Sequence, residues 1–391
     1  MSNFPIKHTV AALAGLLTFA TAHAADVDFG LDKGLEIKGK NFEWDFGSRV
    51  QADSAWFDDN ASPSPFDDNA DLRRARINTK LTIVDDWRVA AEYDVAGINT
   101  GWKSVYLQYR GLEHWRFTAG NQVAPFGLAE LESSDDDAFM EQSIATAMNP
   151  SLLMGIAANT WGNGWTLSGG YFGNELSDES QRKSEGEGGV MRLTVSPIES
   201  KGKLLHFGVA GEYRQPNDDD VLRIRTRPES YMTDVRLVNT GNIANVDDTV
   251  LLGLEAAAIA GPLTVQGEYM QMSVNRSIGS DLDFSSWYAT AGLFLTGETR
   301  DYSESRGVIG GPRHIEHRWG AIEVAVRYGT LDLEDQDVTG GQEDNFGFAL
   351  NWYVNNNVRF MLNYIDFDAS PTSAAIDEDG NIISVRAQFV L

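Results

Sequence analysis

The sequence predicts an all-β protein, a transmembrane 16-stranded antiparallel β-barrel with long loops folded into its interior. Three observations carry that expectation. Apolar and polar residues alternate over segments longer than an ordinary soluble strand. The connections between those segments alternate between short and long. No run of 18 apolar residues offers a membrane helix.

Taken in order, residues 1–24 read as a signal peptide: Lys7 gives a positive start, Val10 to Ala20 an apolar stretch, and Thr21 to Ala24 ("TAHA") a small-x-small cleavage pattern. Residues 25–41 are expected to be a short N-terminal periplasmic segment and 42–391 the barrel. The first strand is the plainest. Phe42, Trp44, Phe46, Val50, Ala52 and Trp56 fall on one face, and Glu43, Asp45, Arg49, Gln51 and Asp53 on the other. Soluble strands usually alternate for about five or six residues. Crossing about 25 Å of hydrocarbon takes about ten, with aromatic residues at both interfaces.

The same segregation recurs along the chain. The expected strands are 42–57, 71–84, 87–97, 103–110, 115–122, 151–161, 165–173, 188–196, 203–214, 249–260, 263–275, 285–297, 318–332, 343–353, 358–367 and 381–391. An even number lets both ends lie in the periplasm, and closure satisfies every backbone group in lipid. A barrel of this size leaves an aqueous channel. Two connections stand out for length: 123–150, a constriction loop if folded inward, and 215–248. The stretch 298–317 is long where a short turn is expected.

Composition narrows the function classes. The formal net charge is −26, which argues against a nucleic-acid partner. There is no cysteine, hence no disulfide framework. After the signal peptide four histidines remain, His114, His206, His314 and His317, and neither G-x-S-x-G nor H-E-x-x-H occurs. No catalytic residue, cofactor or metal is therefore expected.

Against that acidic background, Asp218 to Pro228 reads "DDDVLRIRTRP". In an extended chain Arg223, Arg225 and Arg227 share one face about 7 Å apart. Guanidinium forks stay charged and fit phosphate or carboxylate oxygens. Facing a lumen, such a row would pass an anion from fork to fork. Facing outward, it would pair with Asp218 to Asp220 or touch lipopolysaccharide phosphates. Arg74, Arg76 and Lys80 alternate on the polar face of the second strand, and Arg88, Arg110 and Arg116 sit on polar faces of later ones. Charge facing lipid is costly, so these point inward. They either line a pore or neutralise interior carboxylates such as Glu92 and Asp94.

Several stretches together resemble the phosphate-selective porin family, outer-membrane porins of the OprO/OprP type. They are "LRRARI" (Leu72 to Ile77), "AEYDVAG" (Ala91 to Gly97), "VYLQYRGL" (Val105 to Leu112), "GNQVAPFGLAELESS" (Gly120 to Ser134), "FMEQS" (Phe139 to Ser143) and "NWYVNNNVRFMLNY" (Asn351 to Tyr364). The resemblance implies a trimeric barrel in the outer membrane of a Gram-negative bacterium. It also implies that the third and fifth loops constrict the bore, with an arginine ladder at Arg223, Arg225 and Arg227. The expected function is passive diffusion of small inorganic anions of the phosphate or polyphosphate type, with lipopolysaccharide and outer-membrane lipid as surroundings. One departure tempers it. Where anion-binding members carry a lysine after the "SS" of the third loop, this chain has Asp135, Asp136 and Asp137, with Glu130, Glu132 and Glu141 nearby. Either these carboxylates face a basic wall and weaken anion selectivity, or they turn away to bind a divalent cation or a neighbouring loop. The alternatives are a general or weakly cation-preferring diffusion porin, and a structural or adhesive outer-membrane barrel.

Overall fold

The computed structural model describes residues 26–30, 34–59, 66–96, 100–176, 186–216, 221–312, 315, 317–370 and 378–391. The signal-peptide expectation and the aspartates Asp218 to Asp220 lie outside them. A hairpin comes first, β1 (Asp26–Gly30) and β2 (Gly34–Gly39). Then follow β3 (Phe42–Asp59), β4 (Asn69–Ile83), β5 (Trp87–Asp94), β6 (Gly101–Tyr109), β7 (Trp115–Val123), β8 (Leu152–Gly162), β9 (Trp165–Phe172), β10 (Glu187–Ser200), β11 (Lys203–Gln215), β12 (Val246–Ala260), β13 (Leu263–Arg276) and β14 (Leu282–Phe294). A small hairpin, β15 (Arg300–Ser303) with β16 (Val308–Pro312), precedes β17 (Ala321–Asp335), β18 (Val338–Tyr353), β19 (Val358–Ser370) and β20 (Glu378–Val390).

Apart from β1, β2, β15 and β16, these are the sixteen strands the alternation predicts, with ends shifted by no more than five residues. Each pairs antiparallel with its neighbour, and β20 returns to β3 from Gly380 opposite Asp59 to Val390 opposite Arg49, which closes the barrel. Most of the end shifts lengthen strands at the long-loop rim. Their outward residues there, such as Gln342 and Asp344 on β18, are polar, so the ladder continues past the apolar belt into water. Below Arg49 the edge of β3 is left bare by the end of β20. There β2 takes it over, pairing Gly39 with Phe42 and Leu35 with Phe46. An open edge is a liability that the hairpin covers.

Outward side chains form the belt expected of lipid contact. Trp87, Trp115 and Trp165 stand exposed near the short-turn rim, and Trp56, Tyr213 and Trp287 toward the long-loop rim. The interior is not evenly filled. Loop residues Phe126, Ala129, Ile144 and Met148, together with Ile224, Val238 and Ile243, pack into one apolar cluster with inward residues of β9–β14 and β17, such as Phe172, Leu251, Met270 and Leu331. The wall was shaped for this contact. A Cβ on Gly253 would lie 2.9 Å from the Phe126 ring, and one on Gly347 2.7 Å from Phe139. The 298–317 stretch enters the barrel too: Val308 and Ile309 pack with Leu128, Leu204 and Ile259. The open space is pushed toward β3–β9.

Candidate functional site

That space is a cavity of about 1170 Å³, bounded by β3–β9 on one side and by the two inward loops and the tip of the β15–β16 hairpin on the other. Twelve basic and seven acidic side chains line it, whereas the chain as a whole carries 31 basic and 57 acidic residues. The bore is therefore locally positive inside an acidic protein.

Its constriction loop is held by arginines from the wall. Arg49 donates from Nη1 to Ser134 Oγ (2.8 Å) and pairs bidentately with the Asp135 carboxylate. Glu141 accepts from Arg73 Nε and Nη2 (2.7 and 2.8 Å) and from Arg386 Nη2 (2.7 Å), with Arg74 3.8 Å away. Arg359 donates to the carbonyls of Asp135 and Asp137, and Arg300 to that of Asp136. On the far wall Glu268 accepts the N–H groups of Leu128 and Ala129 (2.7 and 2.8 Å), the first turn of a short helix over Leu128–Leu131. Three arginines beside Glu141 hold its carboxyl, against burial, below the ordinary carboxylate range. Burial, reinforced by Asp136, pushes Asp137 up to about 7, and burial does the same for Glu130. Burial also raises Glu132 and Asp136.

The fifth loop presents Arg225, Arg227 and Arg236 to this space. Leu222 and Arg225 bridge to Ile243 and Asn239, an extended run in which Ile224 is buried on the wall while Arg223 and Arg225 are exposed. Arg225 and Arg227 line the cavity; Arg223 does not, and donates to Asn239 Oδ1 (2.9 Å). Arg227 turns to Thr233 O and Asp234 (both 2.7 Å). Its guanidinium also faces the Tyr231 ring, 4.6 Å from the centroid, while Arg73 faces the same ring at 3.4 Å. The loop row and the wall row thus meet across one aromatic ring.

Of the wall residues expected inward, Arg74 and Arg76 line the cavity, with Arg76 paired to Glu92 and Asp94 (both 2.9 Å). Lys80 lies exposed on the same side of β4, beyond the cavity lining. The structure adds Arg73, which strict alternation would turn outward. A bulge opposite Gln51 and Ala52 inserts one extra residue, so Arg73 and Arg74 both point in while Leu72 stays out. Arg49, Arg236, Arg359 and Arg386 were missed as well. The period-two pattern of β3 and β20 already placed Arg49 and Arg386 on the inner face, but nothing in it tells that a loop packs there. Among the described residues Asp135, Asp136 and Asp137 do not gather with other acids into a metal cluster. Among the described residues such a grouping occurs at Glu36, Glu43 and Asp45, where Lys38 already bridges Glu36 and Glu43.

The sequence profile of the family described as phosphate-selective porin O and P matches residues 45–391. Porin O of Pseudomonas aeruginosa is 27% identical over 447 residues, covering 98% of this chain and 99% of that one. An uncharacterized protein of Caulobacter vibrioides is 31% identical over 343 residues, 82% of this chain and 68% of its own length. Among solved structures, the trimer form of OmpT, an outer membrane protein of Vibrio cholerae, superimposes with a TM-score of 0.57 at 10% identity, covering 90% of this chain and all of that one.

Proposed function

The chain belongs to the phosphate-selective porin O and P family, and from that premise we propose that its bore passes small anions of the phosphate type by passive diffusion. Family and fold support an outer-membrane porin, a channel for diffusion. The observation that carries the finer reading is the sign of the lining: twelve basic against seven acidic groups in a chain whose overall balance is the reverse. Fixed positive charge in a narrow wet bore raises the local anion concentration.

An entering oxyanion meets Arg225 and Arg227 first, sheds part of its hydration to their forks, and passes the Tyr231 ring toward Arg73, Arg74 and Arg76. There most guanidinium charge is already balanced by Glu141, Glu92 and Asp94, so the anion meets shallow stations rather than a deep well. Moderate, repeated binding is what conduction requires. Asp135 completes this arrangement: locked to Arg49, it takes the place an anion would otherwise occupy. The protein is a homotrimer in this reading, as the OmpT form superimposed on it is. Strands β5 and β9, of eight residues each, are at the short limit for spanning a bilayer alone, which favours a protein neighbour along that low wall. Elsewhere the belt meets outer-membrane lipid and lipopolysaccharide.

The test is the reversal potential of purified channels in a potassium chloride gradient, then phosphate titrated into chloride for wild type and Arg223→Ala/Arg225→Ala/Arg227→Ala. Anion preference with phosphate block that weakens in the variant is expected. Cation preference, or a chloride current indifferent to phosphate, sinks the reading. A second reading, general diffusion with weak cation preference, draws on Glu130, Glu132 and Asp137, which also line the cavity. The same reversal potential decides between them.

A further inference from the structure

We propose that Lys103, on the wall at the long-loop end of β6, is a specificity-determining residue of the bore. Its ammonium supplies a movable point charge that takes a phosphate-type oxyanion beside Arg73 and Arg76, where the loop row meets the wall row. The proposal rests on the anion-channel reading above and deepens it with a residue that the alternation of β6 hides.

Strict alternation through Ser104, Tyr106 and Gln108, all on the inner face, would turn Lys103 toward the lipid. A bulge prevents it. Ala91 stands opposite Val105 but Tyr93 opposite Trp102, so two residues of β6 face one of β5. Lys103 and Ser104 therefore both line the cavity. Trp102 is carried outward instead, half exposed, with its ring 5.1 Å from that of Tyr93. The next strand holds the bulge in place. Asn121 Nδ2 donates to the Lys103 carbonyl (2.7 Å), and Asn121 Oδ1 accepts the Leu176 N–H (3.0 Å). The backbone is fixed, and what can move is the four-carbon stem.

Of the twelve basic groups that line the cavity, Lys103 is the single lysine. Neither of the two inward loops, 123–150 and 215–248, contains one. The charges that act on Lys103 are Arg76 and Arg73, as repulsion, and Glu175 and Asp94, as attraction. Among the described residues none of these carboxylates forms an ion pair with it. Asp94 is already occupied by Arg76 and by the N–H groups of Ala75 and Ala96 (3.0 and 3.1 Å). Glu175, which also lines the cavity, is left as the competitor of a passing anion. The ammonium is thus a cation set among cations, a repulsion that a bound anion relieves.

An arginine fork is planar and grips in one orientation, whereas an ammonium is a compact charge with three rotatable donors. It can follow a tetrahedral oxyanion between fixed forks and release it, as moderate multi-site binding requires. Lys103 faces the wet bore and not the lipid belt, so its ligand is a free ion rather than a headgroup. It also offsets the acidic third loop: the positive charge that Asp135 to Asp137 do not supply comes from the wall.

The test uses purified full-length channels in planar bilayers, carrying chloride current with inorganic phosphate titrated in. In Lys103→Gln the half-blocking concentration should rise at least about fivefold, the loss expected for one charged hydrogen bond, and the chloride-to-potassium permeability ratio should fall. Lys103→Arg should restore the ratio but only part of the block, since charge returns as a fixed fork. Heat-modifiable migration in detergent gels verifies the folded barrel in each. A second measurement needs no variant. Saturating phosphate should slow reductive methylation of Lys103 in wild-type channels several-fold, read by peptide mass spectrometry, and leave Lys80, exposed beyond the cavity lining, unchanged. Unaltered block in folded Lys103→Gln, or equal labelling of Lys103 with and without phosphate, overturns the assignment while the anion-channel reading stands. A wild type that prefers potassium to chloride overturns that reading, and this assignment with it.

Discussion

The two halves of the barrel wall use charge in opposite ways. Along β10–β20, inward charged groups hold something. Arg192 and His206 share Glu255, and Arg192 also donates to the carbonyls of Arg306 and Gly307. Arg300 pairs with Glu323, Arg327 with Glu229, and Arg386 with Asp53 and Glu141. Along β5–β7, by contrast, Arg88 and Arg116 line the cavity with no ion pair among the described residues. The residue type is the same; what differs is whether a loop packs against it. A buried guanidinium must be satisfied by the protein, whereas one that borders a bore stays available to a passing ion.

The sharpest way to break this contrast is to unpair the neck. Glu141→Gln leaves Arg73, Arg74 and Arg386 sharing a neutral amide where a carboxylate stood, a loss of about 3–5 kcal/mol for a buried pair broken on one side. The loop should loosen, with larger and noisier single-channel conductance and easier unfolding in urea. Conductance and unfolding both matching wild type would mean that the arginines do not hold the loop.

The far wall offers the next largest effect. Glu268→Ala removes the acceptor for the Leu128 and Ala129 N–H groups and for Tyr288 Oη (2.7 Å). Hydrogen bonds to a charged acceptor contribute about 1.5–3 kcal/mol each, so the start of the short helix should fray. Faster amide exchange over 127–131 is the measurement, and unaltered protection there would show that packing by Phe126 and Leu128 alone seats the loop.

How much of this was legible in sequence follows from what each feature depends on. The sixteen strands were legible because lipid on one side and water on the other write a two-residue period directly into β3, β12 or β18. The β1–β2 hairpin was not, since "DVDFG" and "GLEIKG" are too short to show a period, and the edge they cover exists only after β20 closes the barrel. Arg73 was hidden by a bulge, which breaks the rule that revealed Arg74 and Arg76. The acidic run after Ser134 was visible, yet its meaning was not. Whether Asp135 faces the bore or a guanidinium depends on Arg49, which lies 86 residues earlier on another element.

Asp135→Asn isolates that last point. It frees one fork of Arg49 while keeping side-chain shape, adding a positive charge beside Ser133 and Ser134 where the loop is closest to β3. The chloride-to-potassium permeability ratio should rise about threefold, and phosphate block should deepen, because a bore charge acts through a medium less polar than water. Equal ratios in the two proteins would place the Arg49–Asp135 pair outside the conduction path.

The smallest effect expected comes from pH, and its sign separates the two walls once more. Burial holds Glu130 and Asp137 at about 7, with Asp136 adding repulsion at Asp137 while Arg300, Arg74 and Arg359 oppose the shift. Below that value both carboxyls are neutral and the cavity keeps its full excess of guanidinium; above it they ionise and cancel two of those charges. Anion preference should therefore be greater at pH 6 than at pH 8, by about twofold for two partly screened charges. Linkage gives the same direction for loop seating. A carboxyl whose folded-state pKa is raised contributes stability that is complete below the ordinary carboxylate range and lost as pH climbs through about 7. Glu130→Gln/Asp137→Asn should hold the pH 6 ratio at both values, since neither replacement titrates. Chloride must be the only permeant anion in this comparison, because phosphate changes its own charge over the same range. If the double variant still loses anion preference between pH 6 and pH 8, the titrating groups belong to the bore wall and not to the loop that constricts it.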